Sequence, residues 1–213
     1  MTYQPRGFDP AGPASGAARP RAERTVSLLI VAKLVAAGQE ALCRIRNLSE
    51  TGLMLETSVA LRPADRVRVE VRHHPPLDGL IVWAEGGRAG MSFDAPVAVA
   101  ALVAPAPAPV SRILKSRQPR GPRVAATARV TVELRGRRLT GRLCDISLGG
   151  AKIMIPVAPR PNDVLQIHVP GLPAKAATVR WVGEEVGIAF AEPLAYDVLD
   201  AWLAGSALVD GAG

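Results

Sequence analysis

The sequence predicts an all-β protein with short helices, one small barrel or sandwich domain written twice. Three observations lead there. Short β-branched runs, cut by Gly, Pro and Asn turns, recur along most of the chain. The turn "NLSETG" (47–52) returns as "DISLGG" (145–150), both reading [Asn/Asp]-x-Ser-x-x-Gly. Each half then ends in a short apolar stretch of helical spacing.

The repeat is long and nearly in register. Arg24 matches Arg123, Asn47 and Ser49 match Asp145 and Ser147, Gly52 matches Gly150, and "GMSFDAP" (90–96) matches "GIAFAEP" (187–193). The offset stays between 97 and 99, too long for a solenoid unit and right for a duplicated domain.

The first copy offers six strand runs: "VSLLIVAKLV", "ALCRIRN", "LMLET", "RVRVEVR", "GLIVWAE" and "AGMSF". "RVRVEVR" alternates strictly, as a strand with one wet face should. The second offers "ATARVTVELRG", "RRLTGRLCD", "AKIMIP", "DVLQIHV", "ATVRWVG" and "EVGIAF". Trp83 and Trp181 fall on matching runs and are expected to pack the barrels. "PLAYDVLDAWLA" (193–204) is expected to start a helix at Pro193, with Leu194, Val198, Leu199, Trp202 and Leu203 on one stripe. "PVAVAALVA" (96–104) is its shorter counterpart, and the alternating "PAPAP" after it reads as a semi-rigid linker. The expected organisation is a disordered segment over 1–18, a first domain over 19–104, a Pro-rich basic linker over 105–116, a second domain over 117–204 and a flexible tail over 205–213.

Composition is ordinary for a globular chain of 213 residues, 48% hydrophobic and 21% charged, with a core of Val, Leu, Ile and Ala because aromatics make up only 4%. The net charge is +7, and it sits in two arms: residues 1–24 carry +2 and residues 111–123 carry +5, while 25–110 and 124–213 are each neutral. Neutral bodies with few aromatics argue against a nucleic-acid binder, which would spread its cations over a folded face. Arginine dominates the arms, and its planar fork suits phosphate oxygens and the O6/N7 edge of guanine. No apolar run reaches the roughly 20 residues of a spanning helix, and no secretory pattern opens the chain. Cys43 and Cys144 read as reduced, buried, inert thiols, which points to the cytoplasm.

Enzyme signatures are missing: there is no nucleophile elbow, no phosphate-binding loop, no paired carboxylates, and neither Ser49 nor Ser147 has a His nearby. "HHPP" (73–76) lacks further ligands at metal spacing and reads as a loop, and His168 as a surface residue.

An Arg-rich arm followed 22 to 23 residues later by [Asn/Asp]-x-Ser-x-x-Gly, with "GMSF" and "GIAF" closing each copy, resembles the PilZ domain, a bacterial receptor module for cyclic di-GMP. The resemblance implies two six-stranded antiparallel β-barrels, each followed by a C-terminal helix, and a nucleotide ligand with no cofactor or metal. It implies that Arg120 and Arg123 in the second copy, and Arg21 and Arg24 in the first, grip phosphates and guanines, with Arg117 and Arg19 as their substitutes in the arms. Asp145 or Asn47 would accept from guanine N–H groups, and Ser147 or Ser49 would add a hydroxyl contact. Gly150 and Gly52 would turn the chain at positive φ and let it approach the ligand. The family's arm reads Arg-x-x-x-Arg, whereas both copies here read Pro-Arg-x-x-Arg, with Pro20 and Pro119 at the first position. The implied function is a receptor that signals to an unidentified protein partner by reorienting its barrels across the arm, the only stretch of chain that joins them. The alternatives are a protein-interaction adaptor that keeps the fold without the nucleotide, and a basic-arm binder of RNA or DNA.

Overall fold

The computed structural model describes residues 29–103 and 121–210, and each of these two stretches forms a closed six-stranded antiparallel barrel with a helix after its last strand. The first barrel comprises β1 (Ile30–Ala36), β2 (Gln39–Ser49), β3 (Gly52–Glu56), β4 (Arg66–Glu70), β5 (Leu77–Glu85) and β6 (Arg88–Phe93), then α1 (Val99–Val103). The second comprises β7 (Val124–Leu134), β8 (Arg137–Ser147), β9 (Gly150–Met154), β10 (Val164–His168), β11 (Lys175–Val182) and β12 (Val186–Phe190), then α2 (Tyr196–Asp210). All twelve expected strands are present.

Local chemistry explains the matching turns. The β1–β2 hairpin turns on Ala37 and Gly38 at φ 49° and 79°, and the β7–β8 hairpin on Arg135 and Gly136 at 52° and 72°. Two successive positive-φ residues make the two-residue turn whose twist suits a hairpin. Pairing runs β1-β2-β3-β6-β5-β4 and β10-β11-β12-β9-β8-β7, and β1 with β4 and β7 with β10 close the rings. Closure leaves no open sheet edge. Alternation fills the interiors: Ala32, Leu34, Val67, Val69 and Ile81 point into the first barrel, and Val130, Val132, Leu165, Ile167 and Val179 into the second.

The barrels also touch each other directly, so the arm is not their only connection. Ala41, Leu42 and Cys43 are all buried, because β2 faces its own barrel on one side and the second barrel on the other. Leu42 belongs to the apolar cluster of the second barrel, with Val31 packed against it. Around Leu42, Arg44 pairs with Asp197 at 3.2 Å and stacks 3.8 Å above the Tyr196 ring. The Ser58 hydroxyl donates to Asp200 at 3.1 Å, and the Ala125 N–H donates to Glu40 at 2.8 Å. Burial raises the Tyr196 pKa and leaves its hydroxyl without a partner among the described residues. Burial likewise pushes the Cys43 thiol up to about 12, keeping it protonated and inert.

Several expectations need correction. Trp83 and Trp181 do not fill the barrels; they are 41% and 38% exposed and lie outside, over Gly90 and Gly187 of the neighbouring strands. A β-bulge precedes each one, between Ile81 and Trp83 and between Val179 and Trp181, and the extra residue turns the indole outward. Cys144 is half-buried rather than buried. Pro193 precedes the helix instead of starting it, Val198 is exposed, and α2 continues to Asp210 into the expected tail. Leu199 and Leu203 carry the apolar stripe of the helix, with Trp202 packed against the same core and Leu194 buried just before the helix begins. The first-copy helix covers only Val99–Val103.

Candidate functional site

Each Asx-x-Ser-x-x-Gly motif is a tight hairpin. Ser147 pairs with Gly150 across the β8–β9 turn, and Ser49 with Gly52 across the β2–β3 turn. The Ser147 hydroxyl donates to the Gly150 carbonyl at 3.1 Å, and the Ser49 hydroxyl to the Gly52 carbonyl at 3.0 Å. Ser147 is buried and Ser49 half-buried, so both serines brace the turn.

The glycines serve a different purpose from the one expected. Neither Gly52 nor Gly150 lies at positive φ. Each opens a strand whose backbone runs hard against the barrel's last strand. A Cβ on Gly150 would sit 2.3 Å from the Ile188 carbonyl oxygen, and one on Gly52 would sit 2.4 Å from that of Met91. Only a residue without a side chain fits there.

A bulge aims the acidic position. Register shifts between Leu143 and Asp145, and between Ile45 and Asn47, so two successive side chains point outward just before the turn. The second copy uses this to assemble a charged cluster. Arg123, at the entry to β7, directs Nη1 at both Asp145 carboxylate oxygens, 3.0 and 3.3 Å away. Lys152, directly across the hairpin from Asp145, approaches it to 3.6 Å and holds Glu185 at 2.9 Å. Hydrogen bonding to Glu185 raises the Lys152 pKa, and the same bond holds the Glu185 carboxyl below its ordinary value. Burial, with Glu185 close by, raises the pKa of the adjacent Cys144 thiol.

The geometry leaves Arg123 ready for further work. Arginine carries five N–H donors, and Asp145 engages only Nη1. Nε and Nη2 meet no partner among the described residues. Asp145 therefore anchors the guanidinium while part of the fork stays open to an anion. Side-chain exposures of 33% for Arg123 and 16% for Asp145 leave the pair partly screened but reachable from solvent.

The first copy is built differently. Asn47 is half-buried, pairs across the hairpin with Met54, and makes no side-chain hydrogen bond among the described residues. One residue earlier, Arg46 and Arg88 clamp Glu56 at 2.6 and 3.1 Å. Hydrogen bonding to Arg46 first, then Arg88, lowers the Glu56 pKa.

Of the expected site residues, the structure thus brings Arg123, Asp145, Ser147 and Gly150 together, and it places Asn47, Ser49 and Gly52 on the equivalent turn. Arg19, Arg21, Arg24, Arg117 and Arg120 lie outside the described residues. Sequence reasoning missed Lys152 and Glu185. Lys152 was within reach of counting: two residues back from each end of the Ser147–Gly150 hairpin, Asp145 and Lys152 must face each other. Among the described residues no cluster of side chains could hold a metal ion, and no helix is long and apolar enough to cross a membrane.

Comparison with known proteins gives both structural likenesses and a family match. The chain is similar in structure to the Borreliella burgdorferi PlzA protein, crystallised in complex with c-di-GMP, at 12% identity and a TM-score of 0.31, covering 83% of this chain and 87% of that one. It is similar to the Bacillus subtilis inhibitor of motility MotI/DgrA at 14% identity and a TM-score of 0.34, covering 86% and 99%. It is similar to Escherichia coli YcgR in complex with c-di-GMP at 11% identity and a TM-score of 0.34, covering 86% and 85%. No curated protein matches the sequence. The PilZ domain family matches residues 18–102 and 115–204, one match for each barrel, and the chain belongs to that family in tandem form.

Proposed function

We propose that this protein is a cytoplasmic receptor for cyclic di-GMP, not an enzyme, and that the second barrel carries its main site. One observation carries the reading: Arg123 of the arm and Asp145 of the turn, 22 residues apart in sequence, meet at 3.0 Å with part of the guanidinium still open. In the site proposed, Arg123 donates its remaining N–H groups to a phosphate. Asp145 accepts from a guanine N–H edge, and Ser147 and Gly150 hold the turn in shape. Arg117 and Arg120, just upstream, bind the other phosphate or stack on guanine. Asn47, Ser49, Gly52 and Arg19, Arg21 and Arg24 form the weaker counterpart on the first barrel. Domains over 19–104 and 117–204, joined by the linker 105–116, fit this division of labour.

The signal in this reading is a change in the arm. Residues 111–123 carry five cations and no acid, so they repel one another until a dianionic ligand neutralises part of the charge. Any reorientation of the barrels then works against the Leu42 and Arg44 contacts, which hold them together without ligand. The consequence passes to an unidentified protein partner.

Titration of the intact protein is expected to give micromolar affinity or better for cyclic di-GMP, roughly −8 kcal/mol, and far weaker binding of the linear dinucleotide. The absence of any binding heat at about 100 μM ligand would remove the receptor reading. An adaptor that keeps the fold alone would take its place. That second reading draws on two facts: proline stands where the family's first arm arginine belongs, and Asp145 is already neutralised by Arg123 and Lys152.

A further inference from the structure

Duplication gives the same outer face twice, with different side chains. On the second barrel the outward positions around the β11 bulge are Thr178, Arg180 and Trp181, and Lys152 stands beyond Gly187 on β9. On the first barrel the corresponding positions of β5 are Leu80, Val82 and Trp83, with Met54 beyond Gly90 on β3. Thr178, Arg180 and Lys152 thus all have apolar counterparts, and the tryptophan alone is kept.

The result is an apolar stripe in water. Leu80 is 41% and Val82 56% exposed, beside the exposed Trp83. A strand with one wet face carries polar residues there, as β4 does with Arg66 and Arg68. Single exposed apolar side chains are ordinary, but several together along one strand mark an interaction surface. On the second barrel the exposed Val164 and Met154 stand on strands that are not neighbours. Trp83 packs over Gly90, where a Cβ would collide with the indole, so the ring is held in place before any partner arrives. Such pre-ordering lowers the entropy lost on association, and tryptophan is favoured at the centre of interfaces.

The rim points to the partner. Beside Leu80, Arg66 pairs with Asp94; past Trp83, Glu85 and Arg88 face each other across β5 and β6. Both ends of the stripe carry both signs, and residues 25–110 as a whole are neutral. Such a face has no field to draw a polyanion or an anionic membrane. It is complementary to itself, as a two-fold contact requires. A two-fold axis across β5 turns Leu80 and Val82 toward the copy's Trp83, Asp94 toward its Arg88, and Arg66 toward its Glu85. Glu85 has no ion pair or side-chain hydrogen bond among the described residues, so it is free to accept one.

We propose that the outer face of β5, centred on Leu80, Val82 and Trp83, is a homodimer surface that joins two copies of this chain first barrel to first barrel. The inference stands apart from the nucleotide reading. It gives the duplicated face two tasks, a charged site on the second barrel and self-association on the first.

Sedimentation equilibrium of the intact chain, without nucleotide, tests it. A small apolar centre with a charged rim belongs at the weak end of the interface range. The expected dissociation constant is about 10–100 μM, measured over loading concentrations of about 1–200 μM. Leu80→Thr with Val82→Arg installs the residues that the second barrel carries at the same register of the same fold. That double variant is expected to weaken the dimer about tenfold or more. Glu85→Arg, on the rim, is expected to weaken it less. Val164→Thr, at the most exposed large apolar residue of the second barrel, is expected to leave it unchanged. A wild type that stays monomeric at the top of the range would overturn the proposal and leave the face to a different protein. A dimer untouched by the double variant, or weakened as much by Val164→Thr, would overturn the assignment to β5.

Discussion

Replacing Gly150 with alanine is expected to destabilise the second barrel by about 3 kcal/mol, the upper end of the usual overpacking cost, whereas Gly149→Ala next door is expected to be neutral or mildly stabilising. The two residues are adjacent and differ only in surroundings. A Cβ on Gly150 would lie 2.3 Å from the Ile188 carbonyl oxygen, an atom of the β12 backbone that cannot retreat without breaking the β9–β12 ladder. A Cβ on Gly149 would meet nothing within 4 Å, and Gly149 is not at positive φ. Alanine there should only narrow the unfolded ensemble, a gain of about 0.4–1 kcal/mol. Gly52→Ala, against the Met91 carbonyl oxygen at 2.4 Å, should repeat the loss in the first barrel. Urea unfolding of the intact variants measures all three. A Gly150→Ala midpoint equal to that of the wild type would mean that these strands tolerate a side chain between them.

The next largest effect is expected on ligand affinity. Arg123→Ala and Asp145→Ala should each cost about 1.5–3 kcal/mol of cyclic di-GMP binding, the range for hydrogen bonds to charged groups, and Asn47→Ala much less. The reasoning is positional. Without Asp145, the guanidinium of Arg123 loses the anchor at 3.0 Å that fixes its direction, and Lys152 loses one of its two acid neighbours. Asp145→Asn separates the possible roles. It keeps an acceptor and removes the charge, so it should retain more affinity than Asp145→Ala while imitating the first copy. Greater loss from Asn47→Ala than from Asp145→Ala would move the main site to the first barrel.

The fold was legible wherever the periodicity of two was unbroken. The strict alternation around Val67 and Val69 and the paired hairpin turns at Gly38 and Gly136 leave little freedom for the chain, and the offset of 97 to 99 doubles every inference. Closure of the barrels was not written in alternation. It came through the family resemblance, since pairing of β1 with β4 is a long-range choice that local pattern does not encode. Bulges defeated the reading of side-chain direction. By simple alternation Trp83 should share the interior with Ile81; one extra residue, Val82, sends it outside. The same device aims Asp145 and Asn47.

The site was legible in its motif but not in its surroundings. Asp145, Ser147, Gly150 and Arg123 could be named from spacing and resemblance, yet the reason for the glycine could not, because the Ile188 carbonyl belongs to a strand almost forty residues downstream. The barrel interface did leave a trace. "ALC" (41–43) is apolar at three successive positions, as a strand buried on both faces must be, while the corresponding "LTG" (139–141) is not.

Hydrogen exchange on the intact chain, with and without saturating cyclic di-GMP, tests the central claim most directly, because it reports both binding and place. The account predicts new protection in residues 111–123 and around the 145–150 turn, with smaller changes at the 47–52 turn. Protection confined to the first barrel, or no change anywhere at saturating ligand, would contradict it.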